Sequence, residues 1–234
     1  MRGGVTLRVA DRCMVGTLTR RSLVGLAFLG VAGTGPARSG TNQLPNRNQF
    51  SEAMLDKMFQ GSLDQQKTAT EFVLQHPGAV QPFDYPYVVK TLWAEGNRSQ
   101  AAFWFYVFQS RSLAWAKADK AGNGPAALRA SLNEVLGQTI NRWVGSDPAA
   151  WRDIAARAIS YEKKIPVYPG KPDGTSEAEW LKLVAESRAE YEAGFSKFSA
   201  TLADEKAYSA QRAAHGLSIG PLQDPGRPLP DSWR

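Results

Sequence analysis

Residues 101–108 read Ala-Ala-Phe-Trp-Phe-Tyr-Val-Phe, and the run continues through Gln109, Ser110 and Arg111 to Trp115 and Lys120. It shows no strand alternation, so it predicts one long helix from about Ser99 to Lys120. From Ala101 to Phe108 that helix is apolar almost all round, and a helix with no polar face has none to give to water. It is therefore expected at the centre of the molecule, with other elements packed around it. The remaining periodic segments are helical too, and none alternates as a strand would. The expected fold is all-α: an antiparallel array of six or seven helices with a long helix near the C-terminus.

The boundaries of the other helices follow from local signals. Phe50, Met54, Leu55, Met58 and Phe59 share one helical face, which Gly61-Ser62 ends. Leu63, Phe72 and Val73 suggest a second helix stopping before His76-Pro77-Gly78. Asp84 to Pro86 opens a third, which Gly96 closes as a C-terminal cap. Pro125 opens the helix that carries Leu128, Leu132, Val135, Leu136, Ile140, Trp143 and Val144. Ser146 or Asp147 caps the next, with Pro148 in its first turn and Trp151, Ile154, Ala155, Ala158 and Ile159 on its inner face. Ser176 and Glu179 form a capping box. The helix they open is expected to reach Ala214, with a seam of Leu181, Val184, Tyr191, Phe195, Phe198 and Leu202 that holds Arg188 as its one polar member. Residues 217–234 carry four prolines and no periodicity, which predicts a disordered tail. The expected organisation is an export segment at 1–37, a flexible leader at 38–49, one helical domain at 50–215 and the proline-rich tail at 216–234.

Charge and cysteine content narrow the function classes. The formal charge of +6 is concentrated at the start of the chain, where residues 1–37 hold five arginines and one acid. Without them the chain has 23 basic and 21 acidic residues. So balanced a surface argues against nucleic acid as a partner. Cys13 is the only cysteine and precedes the first apolar stretch. A chain processed near residue 38 would have no disulfide, no thiolate nucleophile and no cysteine-ligated zinc. His76 and His215 are the only histidines, so neither a metal site nor a seryl triad is expected. No C-x-x-C-H, G-x-S-x-G or glycine-rich phosphate loop occurs. No cofactor is expected from the residues themselves.

Thr19-Arg20-Arg21-Ser22-Leu23-Val24 opens an apolar run over residues 23–32 that Gly25 and Gly30 dilute. The segment resembles a twin-arginine signal peptide, in which paired arginines precede a moderately apolar centre and small residues flank the cut site. The resemblance implies delivery by the twin-arginine translocase to the periplasm or beyond. Gly35 and Ala37 fit a cut after Ala37; cuts after Ala32 or Gly33 and an ordinary secretory route are the alternatives, and Met14 is an alternative start. The apolar run is too short for a stable membrane span, which takes about 20 residues.

Two joints look alike. Leu92-Trp93-Ala94-Glu95-Gly96-Asn97 leads into Ala101 and Ala102, and Val144-Gly145-Ser146-Asp147 leads into Ala150, Ala155 and Ala158. Both resemble the helical hairpin of a tetratricopeptide repeat, which implies a concave surface that binds peptide or protein. Gly96 and Gly145 are 49 residues apart, whereas that family repeats every ~34 residues. Any tight helical hairpin selects the same small turn residues and alanine contacts.

The candidate site residues come from the central helix. Its aromatic cluster is read mainly as core, with Trp104, Gln109, Arg111 and Trp115 as the residues that would line a pocket. A buried Arg111 needs a carboxylate, and Glu134 and Asp147 are the candidates. The expected function is that of an exported bacterial binding protein whose partner is an envelope protein or peptide. The alternative is a helical cell-wall glycan hydrolase with Glu95 or Glu134 as the proton-donating acid. A cofactor carrier is a third reading, prompted by the export route.

Overall fold

The computed structural model describes residues 56–234; the export segment with Arg20, Arg21 and Ala37, the leader, and Phe50 to Leu55 of the first helical face lie outside the described residues. The described chain is all-helical and contains no strand. After a helical stretch at residues 56–60 come seven α-helices: α1 (Leu63–Gln75), α2 (Tyr85–Ala94), α3 (Arg98–Ala118), α4 (Pro125–Val144), α5 (Pro148–Glu162), α6 (Glu177–Thr201) and α7 (Glu205–Ala214). Single 3₁₀ turns lie at Pro77–Ala79, Pro82–Asp84 and Asp231–Trp233.

α3 is the central helix, as its sequence requires. Residues 99–112 are all buried, and α2, α4, α5 and α6 pack around it. Ala101 and Ala102 on α3, and Ala155 and Ala158 on α5, are sealed from solvent. At the α2–α3 joint, Gly96 adopts φ +77. Its N–H bonds the Trp93 carbonyl at 3.1 Å, and the Asn97 N–H bonds the Leu92 carbonyl at 2.8 Å. These two bonds satisfy the last carbonyls of α2, and the left-handed turn they need favours glycine.

The other caps fall where the sequence puts them. Asp147 accepts the Ala150 N–H at the start of α5. Ser176 and Glu179 form the reciprocal box that starts α6. A second box, Ser62 with Gln65, was not expected and starts α1 directly after the break at Gly61.

Three expectations change. The long helix stops at Thr201 instead of running to Ala214, because Asp204 turns its side chain to the Ala207 N–H and caps a separate α7. Such local side-chain bonding competes with helix continuation. α6 itself passes through Gly194 without interruption and spans about 38 Å. Its seam is buried at Tyr191, Phe195, Phe198 and Leu202 as expected and departs at its first position, where Leu181 is 45% exposed and the neighbouring Trp180 is buried instead.

The largest difference is the tail. Residues 217–234 are folded onto the helices, and Trp233 is only 6% exposed within the core. Its ring stacks on Phe103 at 4.9 Å and meets Trp104 edge-on at 5.4 Å. A proline-rich segment without periodicity can be extended and bound as well as disordered, and its composition does not separate the two.

Candidate functional site

Arg111 of α3 does find a carboxylate, but it is neither Glu134 nor Asp147. Its partner is Glu162, the last residue of α5, at 3.1 Å. Asp147 is used as the α5 cap, and Glu134 is exposed on α4. Arg188 of α6 reaches the same carboxylate, its Nη2 donating to Oε1 at 2.8 Å and its Nε to Oε2 at 3.0 Å. Ser110 Oγ donates to Oε2 at 3.4 Å. The side chains of Glu162 and Arg111 are 2% and 4% exposed, and that of Arg188 is 22% exposed.

The position of this cluster explains its composition. The end of a helix leaves carbonyls without partners and carries partial negative charge. Beyond α5, Arg111 donates to the carbonyls of Ile165 and Pro166, and Arg188 to those of Glu162 and Ile165. The two guanidiniums therefore hold the buried end of α5 and its terminal carboxylate together. Within the cluster, two positive charges meet one negative.

A small cleft of about 20 Å³ opens over these residues, with room for one water-sized group. Its walls are Trp115, Tyr168 and Trp180, with Val184 and Pro82 beside them. Trp115 and Trp180 meet edge to face at 5.1 Å. Two donors of cleft-lining residues, Arg111 Nε and Trp180 Nε1, are buried without a hydrogen-bond acceptor.

Of the four residues expected to line a pocket, two do so: Arg111 and Trp115. Gln109 lies behind them, its Oε1 accepting from Tyr191 Oη at 3.1 Å. Trp104 is sealed in the core and does not line this cleft. The two acids proposed for glycan hydrolysis are also placed differently. Glu134 is exposed, and Glu95 sits on the surface near Lys67, Asn97 and Arg227. Neither lines the arginine cleft. The residues missed in the sequence are Glu162, Arg188 and Trp180. Arg188 did carry a signal: a lone arginine in an apolar seam needs an acid, and Arg111 needed one too.

Burial also shapes the tyrosines. It pushes the Tyr85 phenol well above its ordinary value, with Arg111 partly opposing, and it raises Tyr106, Tyr161 and Tyr208. Unfolded tyrosines lose their protons near pH ~10, while these hold theirs in the fold. Their contribution to stability is therefore complete below about pH 10 and is lost as pH rises through the folded values, because the unfolded state then binds fewer protons. We expect an alkaline titration to show phenolate absorbance lagging behind that of free tyrosine, and then rising together with loss of helical dichroism. Full ionisation with the helices intact would contradict this.

Fold and cleft thus define an all-α domain with an arginine-rich, aromatic-walled cleft at one end of its central helix. No family model, curated protein or solved structure matches the chain. Among the described residues, no helix is long and apolar enough to cross a membrane, and no three His, Cys, Asp or Glu side chains gather where they could hold a metal.

Proposed function

We propose that the chain is an exported binding protein of the bacterial cell envelope that acts without chemistry of its own, and that its cleft receives the acidic tip of a protein or peptide partner. The observation that carries this is the sharing of one buried carboxylate by two guanidiniums at the floor of an aromatic-walled cleft. The surplus positive charge and the two unpaired N–H donors favour an anionic acceptor, and Arg188 is the member with solvent access. The volume of the cleft suits one small oxygen-bearing group rather than a sugar chain. Export rests on the resemblance of Thr19–Val24 to a twin-arginine signal, whose first partner is the translocase.

The hydrolase alternative fares less well. A proton-donating carboxyl works from an apolar site, whereas Glu95 and Glu134 are on the surface. Glu162 is in the cleft, but its oxygens are occupied by Arg111, Arg188 and Ser110.

The test follows tryptophan emission while the purified protein is titrated with a glutamate-containing peptide and with the same peptide carrying glutamine. The acidic peptide should perturb the Trp115–Trp180 pair and the neutral one should not. Arg188→Gln, which leaves the Arg111–Glu162 pair in place, should weaken binding at least tenfold, or about 1.4 kcal/mol. Equal binding of both peptides would remove the cleft from the account. Release of fragments from a wall polymer by the purified protein would remove the claim that it has no chemistry.

A further inference from the structure

The folded tail starts at the N-terminal end of α3, away from the arginine cleft, and runs to the end of α5, where Lys164 donates to the Arg234 carbonyl; its hydrogen bonds to the helices run mainly in one direction. The helical domain donates and the tail accepts. The Ser99 N–H bonds the Pro225 carbonyl at 3.0 Å, Gln100 Nε2 bonds that of Pro228 at 2.9 Å, and Trp143 Nε1 bonds that of Gln223 at 2.7 Å. Arg157 Nη2 reaches the Pro230 carbonyl at 3.1 Å, and Arg98 Nη1 reaches the Gln223 carbonyl at 3.2 Å. Proline has a carbonyl but no N–H. A row of donors is therefore the complement of a proline-rich backbone, which offers acceptors and needs few in return. The exceptions sit at non-proline residues: Leu217 N–H donates to the Arg212 carbonyl, Gly220 N–H to the Ser146 carbonyl, and Arg227 donates to Asn97 Oδ1 through both its N–H and its Nε.

The groove is aromatic as well. Trp93 and Trp143 meet edge to face at 5.7 Å beside the first part of the tail. At its far end, Trp233 fills a socket formed by Phe103, Trp104 and Tyr161. Between these points the segment passes close over the α2–α3 joint. A Cβ on Gly226 would stand 2.2 Å from the Gly96 carbonyl oxygen and 2.6 Å from Asn97 Cα, and Gly226 has φ +73. Aromatic grooves with well-placed donors are a recurring way of holding extended proline-rich peptides, whose low backbone entropy reduces the cost of binding.

We infer that this groove is a binding site for an extended, proline-rich peptide with an aromatic anchor, and that the chain's own residues 220–234 occupy it as a tethered, displaceable ligand. The inference is independent of the arginine cleft. A tethered ligand acts at an effective concentration of order millimolar. A free peptide of similar sequence must compete with it, so the intact chain binds weakly and an opened chain binds well. This would make the tail a brake on partner capture.

The experiment uses the full chain and a fluorescent peptide with the sequence of residues 220–234. Binding is compared in the wild type, in Trp233→Ala, which empties the socket, and in Gly226→Ala, which lifts the segment at the joint without removing a core side chain. Helical dichroism is recorded for each. The peptide should bind the opened chains at least tenfold more tightly than the wild type, and a peptide with alanine in place of its tryptophan should bind at least tenfold more weakly. If Trp233→Ala does not fold, Gly226→Ala carries the comparison. Absence of saturable binding to an opened chain that keeps its dichroism would overturn the inference, and so would equal affinity for opened and wild-type chains. A wild type that is dimeric at micromolar concentration, with Gly226→Ala monomeric, would also overturn it by assigning the groove to the tail of a second copy.

Discussion

Glu162→Ala should destabilise the fold by about 3–5 kcal/mol, the usual cost of removing one partner from a buried charge cluster. The variant leaves two guanidiniums at the end of α5 with only carbonyls to face, and the side chain of Arg111 has almost no access to water. Urea denaturation should show the loss as a lower midpoint with an unchanged slope. The charge and the hydrogen bonds can be separated. Glu162→Gln keeps an acceptor but not the charge, and should fall between wild type and alanine. Replacing Arg111, Glu162 and Arg188 together with methionine and leucine should recover much of the loss, since a buried ion cluster exchanged whole for apolar side chains is often near neutral. An alanine variant as stable as the wild type would mean that water reaches this cluster freely.

Trp233→Ala is expected to cost a similar amount, about 3–5 kcal/mol, because it empties a socket inside the aromatic core. The mechanism is different. The indole is only three residues from the point where Arg157 holds the tail, so the cavity and the release of the segment are coupled. Trp233→Phe refills part of the socket and should restore a good part of the loss. Thermal unfolding followed by dichroism would check both variants. No change in melting temperature for Trp233→Ala would place the tail outside the cooperative unit.

The sequence was most informative where the signal is local. The all-round apolar run of α3 dictated its burial, Ser176 with Glu179 dictated the start of α6, and Gly96 dictated the turn before α3. Arg111 inside an apolar helix announced a buried ion pair. Its partner was harder to see, because Glu162 stands beside Lys163 and Lys164 in what reads as a solvated charged stretch. Only the fold shows that α5 ends against α3. The seam of α6 was legible from Tyr191 to Leu202, whereas at its start the choice between Leu181 and Trp180 is decided by the packing of Trp180 against Trp115 of α3. The tail was least legible. Its prolines preclude a periodic signal, and what holds it are donors such as Ser99, Gln100 and Arg157, roughly 70 to 130 residues away in the chain. The site residues divide the same way: Arg111 and Trp115 came from one helix, while Arg188 and Trp180 had to be brought from another.

The central claim is that α3 is enclosed on every side and that residues 217–234 complete the enclosure at its N-terminal end. Hydrogen exchange of the purified protein, resolved by residue, tests it most directly. The N–H of Ser99 belongs to the first turn of α3, where no helical acceptor exists, and its acceptor is the Pro225 carbonyl. Ser99 and Gly220 are expected to be strongly protected and to exchange only through release of the tail, ahead of amides in the middle of α3 but far more slowly than free amides. Exchange of Ser99 and Gly220 at the rate of free amides beside a protected helix interior would contradict it.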